Sequence, residues 1–168
     1  MRRLLGIDLG ERRIGLALAD EDGPARPLAT IRRGRRPDAD IAALTRVVAE
    51  QAVTEIVVGL PLEASGQEGR QSGITRVWVD AVLPALGRPV SYRDERLTSH
   101  LAEQRLGPMP RGRSGGPPTP HQRDVYRARV DREAAAIILQ DELDARAALA
   151  RTAATEHGPG AAATGSET

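Results

Sequence analysis

Asp8, Glu95 and Asp131 are the residues of this 168-residue chain whose settings best suit chemistry. Asp8 falls at the end of the apolar run 4–9, Glu95 closes the run 90–95, and Asp131 stands near the start of a long helical pattern. Ala134, Ala135 and Ile138 follow Asp131 at i+3, i+4 and i+7, which places it on the apolar stripe of its helix. A carboxylate in that position needs a partner. Carboxylates about 4 Å apart repel by roughly 4 kcal/mol per pair at an effective dielectric near 20. A cluster of the three acids therefore predicts one or two bound divalent cations, and such ions promote phosphodiester cleavage by activating water and stabilising the leaving oxygen. Plainer readings stay open. A strand-end Asp is commonly a turn residue, and Asp131 can pair with Arg127 or another arginine. Asp94 and Glu95 face opposite sides of a strand, so only one of them can serve the site.

Composition narrows the ion. The chain has no cysteine and three scattered histidines, so thiolate and zinc-type sites are excluded or disfavoured. Oxygen ligands remain, which suit Mg2+ or Mn2+. The net charge of +1 says nothing about partners, although every one of the 24 basic residues is Arg. Local excesses are more telling. Residues 26–36 hold five arginines and no acid, and residues 105–132 hold seven arginines against Asp124 and Asp131. Such patches attract phosphates or are merely solvated. No apolar run is long enough to span a bilayer and no signal peptide is evident, so a cytoplasmic protein without membrane contact is expected.

The elements that must position the acids can be read from periodicity. Strands are expected over 4–9 and 14–19, joined by a hairpin at Gly10–Arg13, with a third over 27–32. In the first, Leu5, Ile7 and Leu9 share one face and Leu4, Gly6 and Asp8 the other. In the second, Ile14, Leu16 and Leu18 oppose Gly15, Ala17 and Ala19, so the sheet has a bulky face and a small-residue face that carries Asp8. A helix over 38–51 uses Ile41, Leu44, Val47 and Val48. A buried parallel strand over 55–59 follows, then a loop at 60–69. Next comes a helix over 70–86 with Ile74, Val77, Ala81 and Val82 inward. A strand over 90–95 and a helix over 99–106 capped by Thr98 come next. Residues 107–122 are expected to form a mobile loop, 124–149 a helix, and 150–168 a disordered tail outside a single domain over 1–149. The two alanines after Asp131 let the last helix lie close on the small-residue face, bringing Asp131 toward Asp8. The order implies an α/β fold with a mixed five-stranded sheet, three antiparallel strands plus parallel crossovers, flanked by helices.

Four segments, 5–17 (LGIDLGERRIGLA), 56–62 (IVVGLPL), 94–99 (DERLTS) and 130–139 (VDREAAAIIL), together resemble the YqgF family, over about residues 1–149. Its members are described as Holliday junction resolvase-like enzymes and pre-16S rRNA nucleases. The resemblance implies a ribonuclease H-like fold, a metal-dependent nuclease with Asp8, Glu95 and Asp131 as catalytic and metal-binding acids, and a nucleic-acid partner. Pre-rRNA is favoured, and branched DNA is the alternative. The stretch between Leu106 and Asp131 is longer and richer in Pro and Gly than the family pattern leads one to expect. Arg12, Arg13 and Arg96 flank the acids and are candidates for holding phosphates, with surface ion pairs as the alternative. Gly59-Leu60-Pro61, with Gly66 and Gly69, either admits a nucleic-acid backbone closely or is merely a flexible turn, which is the preferred reading.

Two rivals come from other classes. Asp8-Leu9-Gly10 also resembles the first phosphate loop of actin-like sugar kinases and chaperone ATPases, but those need a second domain and a second glycine-rich loop. A non-catalytic nucleic-acid-binding or ribosome-assembly factor could keep the same acids for stability. The scarcity of aromatics, with one Trp, two Tyr and no Phe, argues against base stacking and for backbone recognition.

Overall fold

A computed structural model describes residues 1–96, 98–112 and 114–156, and the tail expected over 150–168 lies outside them beyond residue 156. Strands β1 (Arg3–Leu9), β2 (Arg13–Asp20), β3 (Arg26–Arg32), β4 (Glu55–Leu60) and β5 (Val90–Asp94) form one sheet in the order β3-β2-β1-β4-β5. β1 pairs antiparallel with β2 and β2 with β3, while β4 runs parallel to both β1 and β5. The helices are α1 (Pro37–Glu50), α2 (Arg70–Val82), α3 (Thr98–Leu106) and α4 (Pro120–Glu156), and a short 3-10 turn over Leu83–Leu86, with Pro84 in it, ends the helix expected over 70–86 at Val82. The mixed five-stranded sheet flanked by helices is the one expected from the sequence.

The two faces of the sheet differ as the alternation predicts. Leu5, Ile7, Leu9, Ile14, Leu16 and Leu18 form the bulky face, covered by α1 and α2 through Leu44, Val48, Trp78, Val79 and Val82. The inward face of α2 is corrected by the structure. Ile74 and Val77 are exposed and Ala81 likewise, whereas Ser72, Thr75, Trp78, Val79 and Val82 are buried. The indole decides the rotation, because it offers more apolar area than any of the aliphatic side chains and its N–H finds a buried acceptor in Asp40 at 2.9 Å.

The small-residue face takes α4. Leu4, Ala17, Ala19 and Val57 pack against Ala135, Ala136, Ile138 and Leu139. A Cβ on Gly6 would lie 2.8 Å from the Ala135 carbonyl oxygen, and one on Gly15 would fall well under 3.0 Å from that of Asp131. These glycines let the helix backbone lie almost on the sheet. α4 begins at Pro120 and ends at Glu156, rather than at 124 and 149. Thr119 Oγ1 accepts from the Gln122 N–H at 3.1 Å, and Gln122 Oε1 accepts from the Thr119 N–H at 2.8 Å. This reciprocal cap, with Pro as the first helical residue, is a start signal written in Thr119-Pro120-His121-Gln122 that periodicity alone overlooks. The segment expected to be a mobile loop is tied at its start by the Tyr126 hydroxyl, which donates to the Gly107 carbonyl at 2.8 Å. Among the described residues no helix is long and apolar enough to cross a membrane.

Candidate active site

Parallel strands β1, β4 and β5 end at the same edge, so Asp8 and Glu95 emerge together, but β4 lies between their strands. Two strand spacings separate β1 from β5, roughly 9.5 Å. The carboxyls meet because the intervening residue is Gly59. A Cβ there would fall under 3.0 Å from Glu95 Oε2 and from Ile138 Cδ1. Gly59 lies in the buried strand expected over 55–59, which runs on to Leu60, and its missing side chain is the space the Glu95 carboxyl occupies. Glu95 is held from behind. Its N–H donates to the Leu60 carbonyl at 3.2 Å, and its own carbonyl accepts from the buried Thr98 hydroxyl at 2.6 Å. Thr98 therefore anchors the turn that presents Glu95. Asp94 takes the other side of the strand end and pairs with Arg96 Nε at 2.7 Å.

The two carboxyls are strongly perturbed. Burial, then the charge of Asp131, pushes Asp8 up to about 7, with a hydrogen bond to Glu95 acting in the opposite direction. Burial, then the Asp8 charge and the hydrogen bond to Asp8, pushes Glu95 up to about 8, with a smaller contribution from Asp94. The pair therefore shares a proton when no cation is bound. Glu95 Oε2 is sealed from solvent and has no hydrogen-bond donor.

Asp131 lies on the α4 stripe, near enough for its charge to act on Asp8, but its carboxylate accepts from Arg13 Nε at 2.5 Å. With Asp131 so engaged, no group of three acid or histidine side chains among the described residues is spaced to hold a metal ion. The Asp8–Glu95 pair by itself fits a divalent cation: its donors are all oxygens, one is buried and orphaned, and the mutual repulsion is relieved by positive charge. Asp131 can join only if it leaves Arg13. Of the arginines expected to hold phosphates, Arg13 is thus occupied by Asp131 and Arg96 by Asp94, while Arg12 is exposed. A cleft of about 530 Å³ opens beside these residues, lined by Gly10, Arg12, Arg13, Arg127 and Asp131 among others.

The family profile described as "RuvX: Holliday junction resolvase" matches residues 2–145. The chain belongs to this family. Among curated RuvX relatives, a protein of Anaeromyxobacter dehalogenans is 47% identical over 147 residues, covering 86% of this chain and 98% of the relative. One from Chloroflexus aggregans is 44% identical over 144 residues, covering 85% and 94%. Both carry the name "Putative pre-16S rRNA nuclease". Among solved structures, Thermus thermophilus RuvC in complex with a Holliday junction substrate superposes with a TM-score of 0.53 at 19% identity, covering 88% of this chain and 97% of that one. That likeness confirms a RuvC-type, ribonuclease H-like fold for the RuvX chain.

Proposed function

We propose that this chain is a divalent-metal-dependent nuclease that hydrolyses phosphodiester bonds in the cytoplasm, acting in 5′-end maturation of pre-16S ribosomal RNA. The names of its relatives support the substrate. The observation that carries the chemistry is the Asp8–Glu95 pair meeting over Gly59, with Asp131 beside it. Asp8 and Glu95 would hold Mg2+ or Mn2+, and Asp131 would complete the ligand set. A cation there supplies neutralisation of charge on the phosphoryl oxygens and on the leaving group. The protein's own residues do the positioning. Arg12 holds a phosphate beside the scissile bond, and Arg96 lies on the Glu95 side of the same edge. An incoming phosphate competes with Asp131 for the Arg13 guanidinium, since guanidinium binds phosphate in a bidentate fork. Capture of the substrate would release Asp131 from Arg13, leaving its carboxylate available as a further ligand.

Purified protein should cleave precursor 16S rRNA with Mg2+ or Mn2+ and be silent in chelator. A four-way DNA junction, which the family description suggests, serves as the comparison substrate. Faster cleavage of the junction would move the assignment to DNA, and no cleavage of either would leave a non-catalytic binding factor.

Gly59→Ala probes the geometry with little damage to the fold, because the clashing atoms are the ends of two side chains rather than backbone. The Glu95 carboxyl must be displaced. Misplacement by about 1 Å costs about a hundredfold in rate, against an expected stability loss of about 1–2 kcal/mol. Parallel melting curves and cleavage assays would show it, and full activity in this variant would disprove the site.

A further inference from the structure

The arginines of residues 26–36 have no part in the chemistry above. Arg32, Arg35 and Arg36 are exposed, as are Arg12 and Arg70. None of the five has an ion pair with a carboxylate among the described residues. Some arginines elsewhere are neutralised, as in Arg3–Asp20, Arg105–Glu133 and the pairing of Arg146 with Glu55, while others such as Arg46 and Arg151 stand singly, so it is the concentration that sets these five apart. The concentration is also unfavourable for folding. Arg13 and Arg32 are direct partners across β2 and β3, and the Arg33 N–H donates to the Arg12 carbonyl at 2.9 Å. Like charges placed opposite one another destabilise a sheet.

These side chains line one continuous path. The cleft floored by Gly10, Arg13 and Asp131 shares Glu11 and Arg12 with a second cleft lined by Arg32, Arg33 and Arg35. The second shares Arg33, Gly34 and Arg35 with a third, between α1 and α2, which adds Arg36 and Arg70. The loop at its centre is pre-shaped. The Asp40 carboxylate, buried to 2% exposure, accepts from the Gly34 N–H at 2.7 Å and from Trp78 Nε1 at 2.9 Å, pinning residues 33–36 between the two helices. Arg33 Nη1 adds a tie to the Gly10 carbonyl at 3.1 Å. Both Asp40 oxygens are used in this way, which leaves Glu11 as the carboxylate open to the middle of the path.

We propose that this path binds the sugar–phosphate backbone of a nucleic-acid strand leading away from the acidic site, past Arg12 and Arg32, over the 33–36 loop to Arg70. The choice of nucleic acid as the polyanion rests on the nuclease reading. A pinned loop loses little conformational entropy on binding, so its guanidiniums contribute more per contact than those of a floppy segment. The one aromatic lining it, Trp78, is buried with its N–H already used, so phosphates rather than bases are read, and binding is independent of sequence.

The test is equilibrium binding of 20-nucleotide poly(U) and poly(dT) in chelator, over a salt series. Arg35→Ala/Arg36→Ala is compared with Arg46→Ala/Arg151→Ala, which removes the same charge from exposed sites off the path. Melting curves confirm that both fold. The path variant should lower the slope of log affinity against log salt by about 1.4–1.8 and weaken binding about 30-fold or more at 0.1 M salt, and the control should change neither. An unchanged slope in the path variant, or an equal fall in the control, would overturn the path. Because no cleavage enters the measurement, the two readings fail separately. A wild-type protein that cleaves but whose path variant binds normally refutes only the path. One that shows the predicted slopes yet cleaves nothing refutes only the nuclease.

Discussion

Asp8→Asn should abolish cleavage while making the metal-free protein more stable. Loss of one charged oxygen donor removes about 4 kcal/mol or more of transition-state stabilisation, a rate drop of about a thousandfold. The stability gain follows from the electrostatics. Asp8 and Glu95 stand at about 7 and about 8 in the folded protein, against 3.8 and 4.5 for free carboxyls, owing first to burial and then to a neighbouring like charge, that of Asp131 on Asp8 and of Asp8 on Glu95. Between about pH 4 and 8 the folded state therefore holds protons that the unfolded state has lost. Stability without metal is greatest below pH 4 as far as these groups are concerned, and declines as the pH rises through 8. One pKa unit corresponds to about 1.4 kcal/mol, so upward shifts in both carboxyls make the decline several kcal/mol. Asp8→Asn removes the Asp8 contribution and relieves Glu95 of a neighbouring charge while leaving Glu95 buried, so the melting temperature at pH 8 in chelator should exceed wild type by about 4–8 °C. Divalent metal should stabilise wild type at pH 8 and do little for the variant. Cleavage retained in Asp8→Asn, or a wild-type melting temperature flat from pH 5 to 8, would contradict the paired-carboxylate site.

The largest structural effect is expected from Gly15→Ala. The added Cβ would meet the carbonyl oxygen and carbon of Asp131 and lie 3.0 Å from the Arg132 nitrogen, all backbone of α4. No rotamer relieves that clash, so the helix must retreat. It would take with it the Ala135 approach to Gly6, the Thr30 hydroxyl bond to the Ala128 carbonyl at 2.5 Å, and the Asp131 pairing with Arg13. Overpacking of this kind costs about 3 kcal/mol or more, or about 6–12 °C for a chain of this size. Gly73→Ala is the counterpart. It sits inside α2 with nothing within 4 Å of the new methyl, so it should stabilise by about 0.5–1 kcal/mol. Calorimetry of the two variants makes the comparison. Equal melting temperatures would mean that α4 does not rest on the sheet at Gly15.

Local rules made much of this protein legible. Side chains alternate along any strand, so the assignment of Asp8, Gly6, Gly15 and Ala17 to one face needed no knowledge of neighbours. The 3.6-residue period put Asp131 and Ala135 on one stripe, and a flat small-residue face has an obvious complement in an alanine stripe. Even the start of α4, missed by periodicity, was present locally as a capping box. The rotation of α2 was less legible, since Ile74, Val77 and Trp78 share the i, i+3, i+4 spacing of one face, yet the indole turned to the buried Asp40 carboxylate leaves Ile74 and Val77 exposed.

What tertiary structure alone decided lies between residues far apart in the chain. Nothing in residues 55–60 announces that β4 will separate β1 from β5, so the meaning of Gly59 as the gap that admits Glu95 was invisible until the strand order was known. The same holds for Arg13, whose partner Asp131 is 118 residues away, and for Asp40, which joins the 33–36 loop to an indole 38 residues on. Periodicity reports which way a side chain points, because that is a property of the local backbone. Which group it meets there depends on how the elements stack, and that is set by the burial of whole faces rather than by any short segment.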